Sequence, residues 1–196
     1  QGSSSAASVV YKRQTQAVFG TNPIAFSAPR ADDAPIVIDM SLSKVARGKV
    51  MLANQQNEKI PEGWAIDNEG KPTTDPKKAL AGAMLPIGDA KGSALALMVE
   101  ILAAGLTGSN FGFEASSFLD AEGDSPGVGQ LIIAIDPSFF AGDSFGERTE
   151  TIVDAILEQP STRLQGDKRL EKRKLREKSE KITISKELHE KISILI

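Results

Sequence analysis

The chain has 196 residues, 40% of them hydrophobic and 25% charged, with no cysteine. This is ordinary globular composition, and it excludes a disulfide scaffold, thiol catalysis, Fe–S clusters and cysteine-type zinc sites. A formal net charge of -3 gives no global pull toward nucleic acid or an anionic membrane, so neither is expected as a partner.

Residues 1–16 read as an irregular polar start without a basic-then-apolar leader, and a soluble, cytoplasmic chain is expected. Ile24-Ala25-Phe26 reads as a strand leaving the turn Gly20-Thr21-Asn22-Pro23, and residues 35–40 as a buried strand closing on a carboxylate. The two strands look like a hairpin around Ala31-Asp32-Asp33. A helix is predicted over 41–54, capped by Ser41 or Ser43, with Val45, Val50 and Ala53 on one side. Residues 55–78 predict a loop anchored by Trp64. The apolar run from Ala94 to Leu106, broken by Glu100 and Gly105, is too short to cross a bilayer and predicts a core helix over 94–107. Residues 130–136 carry the clearest strand signal, and 144–158 an amphipathic helix with Ile152, Val153, Ile156 and Leu157 on one face. A short strand at Ile182-Thr183-Ile184 precedes a last helix, capped by Ser185, with Leu188, Ile192 and Leu195 one turn apart. Interleaved helices and strands make the class mixed α/β.

The usual dinucleotide fingerprint is absent. Gly127-Val128-Gly129-Gln130-Leu131-Ile132 lacks the third glycine and enters a strand instead of leaving one for a helix. At Gly88-Asp89-Ala90-Lys91-Gly92-Ser93, backbone amides, a helix dipole, the Lys91 charge and the Ser93 hydroxyl converge as a phosphate would require. The same residues also fit an ordinary capped helix start with a solvated lysine. Asp39 is either a cap for the next segment or a site residue at a strand end, and Arg30 either an anion holder or a solvated turn residue. His189, the only histidine, reads as a solvated surface residue, which leaves no His or Cys as proton donor and no metal-ligand cluster. Between Asp167 and Lys181 eight Lys/Arg are interleaved with four Asp/Glu, the pattern of a solvated, salt-bridged helix and not of an RNA or lipid surface.

Phe19-Gly20-Thr21-Asn22-Pro23-Ile24-Ala25-Phe26 opens a longer series of blocks. In order follow Ile36-Val37-Ile38-Asp39-Met40-Ser41, Ala46-Arg47-Gly48-Lys49, Ile60-Pro61-Glu62-Gly63-Trp64-Ala65 and Pro72-Thr73-Thr74-Asp75-Pro76. Leu85-Pro86-Ile87-Gly88, Lys91-Gly92, Gly129-Gln130 and Leu164-Gln165-Gly166-Asp167 complete it. Over residues 17–170 this series resembles the type-2 malate/L-lactate dehydrogenase family. The resemblance implies a non-Rossmann fold, a largely antiparallel or mixed sheet flanked by helices, in a homodimer. It implies NAD or NADP as cofactor, interconverting a 2-hydroxy acid such as malate, lactate or sulfolactate with its 2-oxo acid. Reduction of a cyclic imino acid (piperideine- or pyrroline-2-carboxylate) is the alternative.

Carried over residue by residue, the family's cofactor segments fall on Ile36, Ile38, Asp39, Met40 and Ser41, on Ala90 and Lys91, and on Gly166, Asp167 and Lys168. Asp39 is implied as a helper of the catalytic machinery, Lys91 as a cation for the pyrophosphate or ribose, and Arg30 is a candidate for a 2′-phosphate. Gln165 stands where the family usually has proline. The family's Ser-His pair, with His as proton donor, and its substrate-clamping Arg belong to an N-terminal part that has no counterpart here. The chain alone is therefore expected to be inactive, or to be a cofactor-binding and dimerisation module. The expected division is an irregular remnant over 1–16, an NAD(P)-binding domain over 17–160, and a helical segment over 161–196 that packs on the N-terminal part.

Overall fold

The computed structural model describes residues 9–10, 15–118, 123–179, 181–184 and 186–194. Tyr11, the cap at Ser185 and Leu195 lie outside them. The chain forms two compact units, Gln1–Ala25 with Asp39–Asp136, and Phe26–Ile38 with Pro137–Ile196.

The first unit is built on a mixed five-stranded sheet. Its strands are β1 (Val9–Val10), β2 (Ala17–Phe19), β5 (Ala65–Ile66), β6 (Pro72–Thr73) and β7 (Ala83–Met84), in the spatial order β2-β1-β7-β5-β6. β1 runs parallel to β7, and the other pairings are antiparallel. The core gathers Val9, Phe19, Leu42, Val50, Ile60, Ala65 and Met84, with Trp64 packed against it as expected of an anchor. Two further strands, β3 (Ile24–Ala28) and β4 (Ile36–Met40), pair with each other, as the hairpin reading required. β4, however, is half-buried at Ile36, Val37 and Ile38 and exposed at Asp39 and Met40, so the expectation of a buried strand fails.

Helix α1 (Arg47–Gln56) begins after Ala46, and neither Ser41 nor Ser43 caps it. Both serines are held in extended chain. Ser43 forms a bridge with Pro86, and its hydroxyl donates to the Val45 carbonyl at 2.8 Å. Residues 55–78 are more ordered than a loop. Asp67 Oδ1 accepts from the Glu69 and Lys71 amides, and Gly70 takes φ +80°, which closes the β5–β6 hairpin. Asp75 then caps α2 (Pro76–Ala81), accepting from Lys77 and Lys78, with Pro76 in the first turn where its missing N–H costs nothing.

The apolar helix α3 (Ala90–Glu100) starts four residues earlier than the hydropathy indicates and runs into a π-helical turn, Ile101–Gly105. Its buried face is a four-residue stripe of mostly small side chains: Gly92, Ala96, Glu100 and Ala104, with Ser93 beside it. Leu97, Met98 and Ile101 are 41–55% exposed. A small-residue stripe lets the backbone approach its neighbours closely and leaves the large side chains outside, so this is not the fully buried core helix expected. Residues 130–136, the clearest strand signal, form no strand. No strand among the described residues pairs with the run, and Ile132 and Ile133 are 85% and 72% exposed. Hydropathy marks a segment fit for a sheet but does not supply the neighbouring edge.

In the second unit, α4 (Ser144–Leu157) buries Thr149 and Val153 but leaves Ile152, Ile156 and Leu157 exposed. α5 (Asp167–Lys178) is a solvated helix with an Arg173–Glu177 pair, as its charge pattern predicts. Residues 182–184 are not a strand, and α6 (Lys186–Ile194) follows. No helix among the described residues is long and apolar enough to cross a membrane.

An ion pair ties this unit together. Arg30 donates from Nε and Nη2 to Glu150 on α4, at 3.0 and 2.6 Å, and from Nη1 to Asp33 at 2.9 Å. The hydrogen bonds from Arg30 hold the Glu150 carboxyl below its ordinary range. A depressed carboxylate stabilises the fold above its unfolded-state value, and the contribution fades as pH falls through the folded-state value. Glu150→Gln should therefore lower the melting temperature at pH 7, and the difference should shrink as pH falls below the unfolded carboxylate range. Thermal melts across that range read the difference.

Candidate functional site

Leu42 is the centre of one edge of the first unit. Its amide donates to Thr21 O at 2.8 Å, and its carbonyl accepts from the Ile87 amide at 2.8 Å. The strand end Asp39-Met40-Ser41 is thereby set beside Ile87-Gly88-Asp89, the approach to α3. Two of the cofactor segments implied by the sequence, 39–41 and 90–91, are thus brought together within one unit.

The start of α3 has no side-chain cap. Gly88 and Asp89 both have positive φ, +59° and +52°, the second being costly for a residue with a Cβ. Asp89 stands at the cap position, yet its side chain makes no capping hydrogen bond. Asp89 N–H reaches Pro86 O at 3.4 Å, Lys91 N–H reaches Gly88 O at 3.2 Å and Ser93 N–H reaches Asp89 O at 3.0 Å, while Gly92 is buried against Ile87. The Lys91 side chain is exposed and makes no ion pair among the described residues. The positive helix end and an ammonium without an ion pair among the described residues would suit a phosphate. Ser93 does not join them. It is buried, and its hydroxyl donates to Asp89 O at 3.0 Å.

Ser41 has a definable polarity. Its Oγ lies 2.9 Å from Ser43 Oγ, whose single proton already goes to Val45 O, so Ser41 is the donor of that pair. Ser41 is left with lone pairs only, and a partner such as a ribose hydroxyl must bring the proton. Asp39 and Met40 are exposed beside it. No group of three or more His, Cys, Asp or Glu suited to a metal occurs among the described residues.

The other implied segments meet in the second unit. Gly166 has φ +94°, and a Cβ on it would sit 3.0 Å from Val37 O, so the turn before α5 packs on the backbone between Ile36 and Ile38. Asp167 closes this turn by accepting from the Leu164 amide at 2.8 Å, which gives the turn an anchor although Gln165 replaces the family's proline. Lys168 is exposed at the head of α5. Arg30, in contrast, is 13% exposed and engaged by Glu150 and Asp33, so the 2′-phosphate role does not suit it.

Sequence reasoning passed over Glu100. This carboxylate, buried in the apolar helix, accepts from the Gly20 and Gly112 amides and from Asn22 Nδ2. A lone acid inside an apolar run was the available signal, since buried acids need partners.

Comparisons with known proteins identify the family. The family model for malate/L-lactate dehydrogenase matches residues 2–193. A (2R)-3-sulfolactate dehydrogenase (NADP(+)) of Chromohalobacter salexigens is 60% identical over 152 residues, 78% of this chain and 45% of that protein. A Delta(1)-pyrroline-2-carboxylate/Delta(1)-piperideine-2-carboxylate reductase of Pseudomonas syringae pv. tomato is 47% identical over 155 residues, 79% of this chain and 45% of that one. The crystal structure of delta1-piperideine-2-carboxylate reductase from Pseudomonas syringae pv. tomato matches with a TM-score of 0.87 at 42% identity, over 98% of this chain and 58% of that one. The chain thus spans about half the length of the curated relatives it matches. With the mixed fold and the ordered blocks from Gly20 to Asp167, these matches establish that the chain belongs to the malate/L-lactate dehydrogenase family.

Proposed function

We propose that this chain is the coenzyme-binding part of an NAD(P)-dependent dehydrogenase acting on a 2-hydroxy acid, with sulfolactate the favoured substrate class. The observation that carries the reading is the uncapped start of α3, where the strained Asp89 makes no side-chain cap and Lys91 makes no ion pair among the described residues. When bound, the coenzyme supplies or accepts a hydride at the substrate's 2-carbon. Lys91 and the first-turn amides hold the pyrophosphate, Ser41 accepts from a ribose hydroxyl, and Asp39 orients the reacting end. The 60% identity to an NADP(+)-dependent sulfolactate dehydrogenase favours NADP and a sulfonated acid.

None of these residues is a proton donor suited to neutral pH. The one histidine, His189, is exposed on α6 in the other unit. The chain alone is therefore proposed to bind coenzyme, to assemble as a homodimer, and to turn over poorly without a histidine supplied by further polypeptide. Reduction of a cyclic imino acid is the second reading, favoured by the match to the piperideine-2-carboxylate reductase structure.

Fluorescence titration with NADPH and NADH tests the binding, and assays with sulfopyruvate and with piperideine-2-carboxylate separate the substrates. Saturable NADPH binding with little turnover is expected. Absence of binding to either coenzyme, or turnover at rates ordinary for a dehydrogenase, overturns the reading.

A further inference from the structure

We propose that Glu100 is a positioning residue for the coenzyme edge, acting through the turn Gly20-Thr21-Asn22-Pro23; this deepens the coenzyme reading and rests on it. Glu100 is 7% exposed, at the junction where α3 gives way to the π-helical turn. Its Oε1 accepts from Gly20 N–H at 3.3 Å and Asn22 Nδ2 at 3.0 Å, and its Oε2 from Gly112 N–H at 3.1 Å. Asn22 spends its second amide proton on Ala96 O, one turn earlier on the same helix, at 2.9 Å. Asn22 has φ +44°, a left-handed conformation that asparagine tolerates better than most residues, and both protons of its side chain are used to hold it there.

The consequence travels one residue further. Thr21, between Gly20 and Asn22, presents the carbonyl that fixes the Leu42 amide, and Leu42 in turn fixes Ile87. The carboxylate therefore sets the height at which 39–41 and the α3 start face a ligand, although it touches neither. The space around it has no slack. A Cβ on Gly112 would meet Gly20 N at 2.4 Å, so the 111–115 turn, the Gly20 turn and the helix close on the carboxylate from three sides. All three partners are N–H donors, which only a group with two acceptor oxygens satisfies in full. Glu100 and Ala104, four residues apart, fall on the same packed side of the helix as Gly92 and Ala96.

Glu100→Gln in the full chain is the test, with Ile60→Val as a mildly destabilised control from the same core. The amide of a glutamine must face one of the three N–H donors, so part of the clamp is lost while size is kept. Hydrogen exchange of the Leu42 and Ile87 amides should accelerate about tenfold beyond the control, and the NADPH dissociation constant should rise about tenfold. Glu100→Asp, which retains two acceptor oxygens, should recover part of both. Exchange no faster than in Ile60→Val overturns the positioning role, as does faster exchange with unchanged NADPH affinity. Failure of the coenzyme reading is seen separately, as absence of NADPH binding in the unsubstituted chain.

Discussion

Lys91→Ala raises the dissociation constant for NADPH by about 10- to 100-fold, the range lost with one charge-assisted contact to phosphate. The effect is expected to be large because no carboxylate among the described residues pairs with this ammonium. It is exposed, without an ion pair among the described residues, and the side chain of the neighbouring Asp89 makes no capping bond to the helix start. Removing it leaves the fold intact, since no contact is broken, so the melting temperature of the free chain should move by less than about a degree. Lys91→Arg should retain most of the affinity, because the positive charge survives. Titration at two salt concentrations adds a second check: the wild-type affinity falls as salt rises, and the alanine variant's falls less.

Gly92→Ala has a larger effect and a different cause. A Cβ at Gly92 would sit 1.7 Å from Ile87 O, a backbone atom that cannot step aside without moving the α3 approach. Ile87 is also the residue whose amide is held by Leu42, so the displacement reaches 39–41. A loss of at least about 3 kcal/mol of stability is expected, at the upper end of overpacking costs, with NADPH binding lost as well. Gly88→Ala is the informative comparison. Its Cβ would meet nothing within 4 Å, so only the strain of φ +59° is paid, about 1–2 kcal/mol. Urea denaturation of the two variants should rank them clearly. Equal costs would mean that the contact with Ile87 is looser than described.

Where local chemistry decides the structure, the sequence was readable. The β3–β4 pairing followed from two apolar runs around Ala31-Asp32-Asp33, and the solvated α5 from its alternating charges. The helix at 76–81 was also legible in principle, since Asp75-Pro76 is a cap followed by a first-turn proline. Where partners decide, the sequence was silent. Ser41 and Ser43 look like caps until the bridge to Pro86 and the bond to Val45 O claim Ser43. The run at 130–136 has a strand's hydropathy, but no strand among the described residues pairs with it.

The candidate site divides along the same line. The donor-rich start of α3 could be read from Gly88 to Lys91, but the burial of Ser93 and the capture of Arg30 by Glu150 could not. Both are contacts with groups that the local sequence does not name: a carbonyl one turn back, and a carboxylate 120 residues away. Glu100 shows the same gap. Its place in an apolar run was visible, but the three N–H groups that justify it come from segments on both sides of it in the chain.

The most direct measurement is a titration of the isotopically labelled chain with NADPH, followed by amide chemical shifts. Saturable shifts concentrated at Ala90, Lys91 and the 39–42 segment are the predicted result. Shifts confined to the basic face of α5 (Lys168, Arg169, Lys172, Arg173 and Arg176), with the start of α3 unmoved, would contradict it.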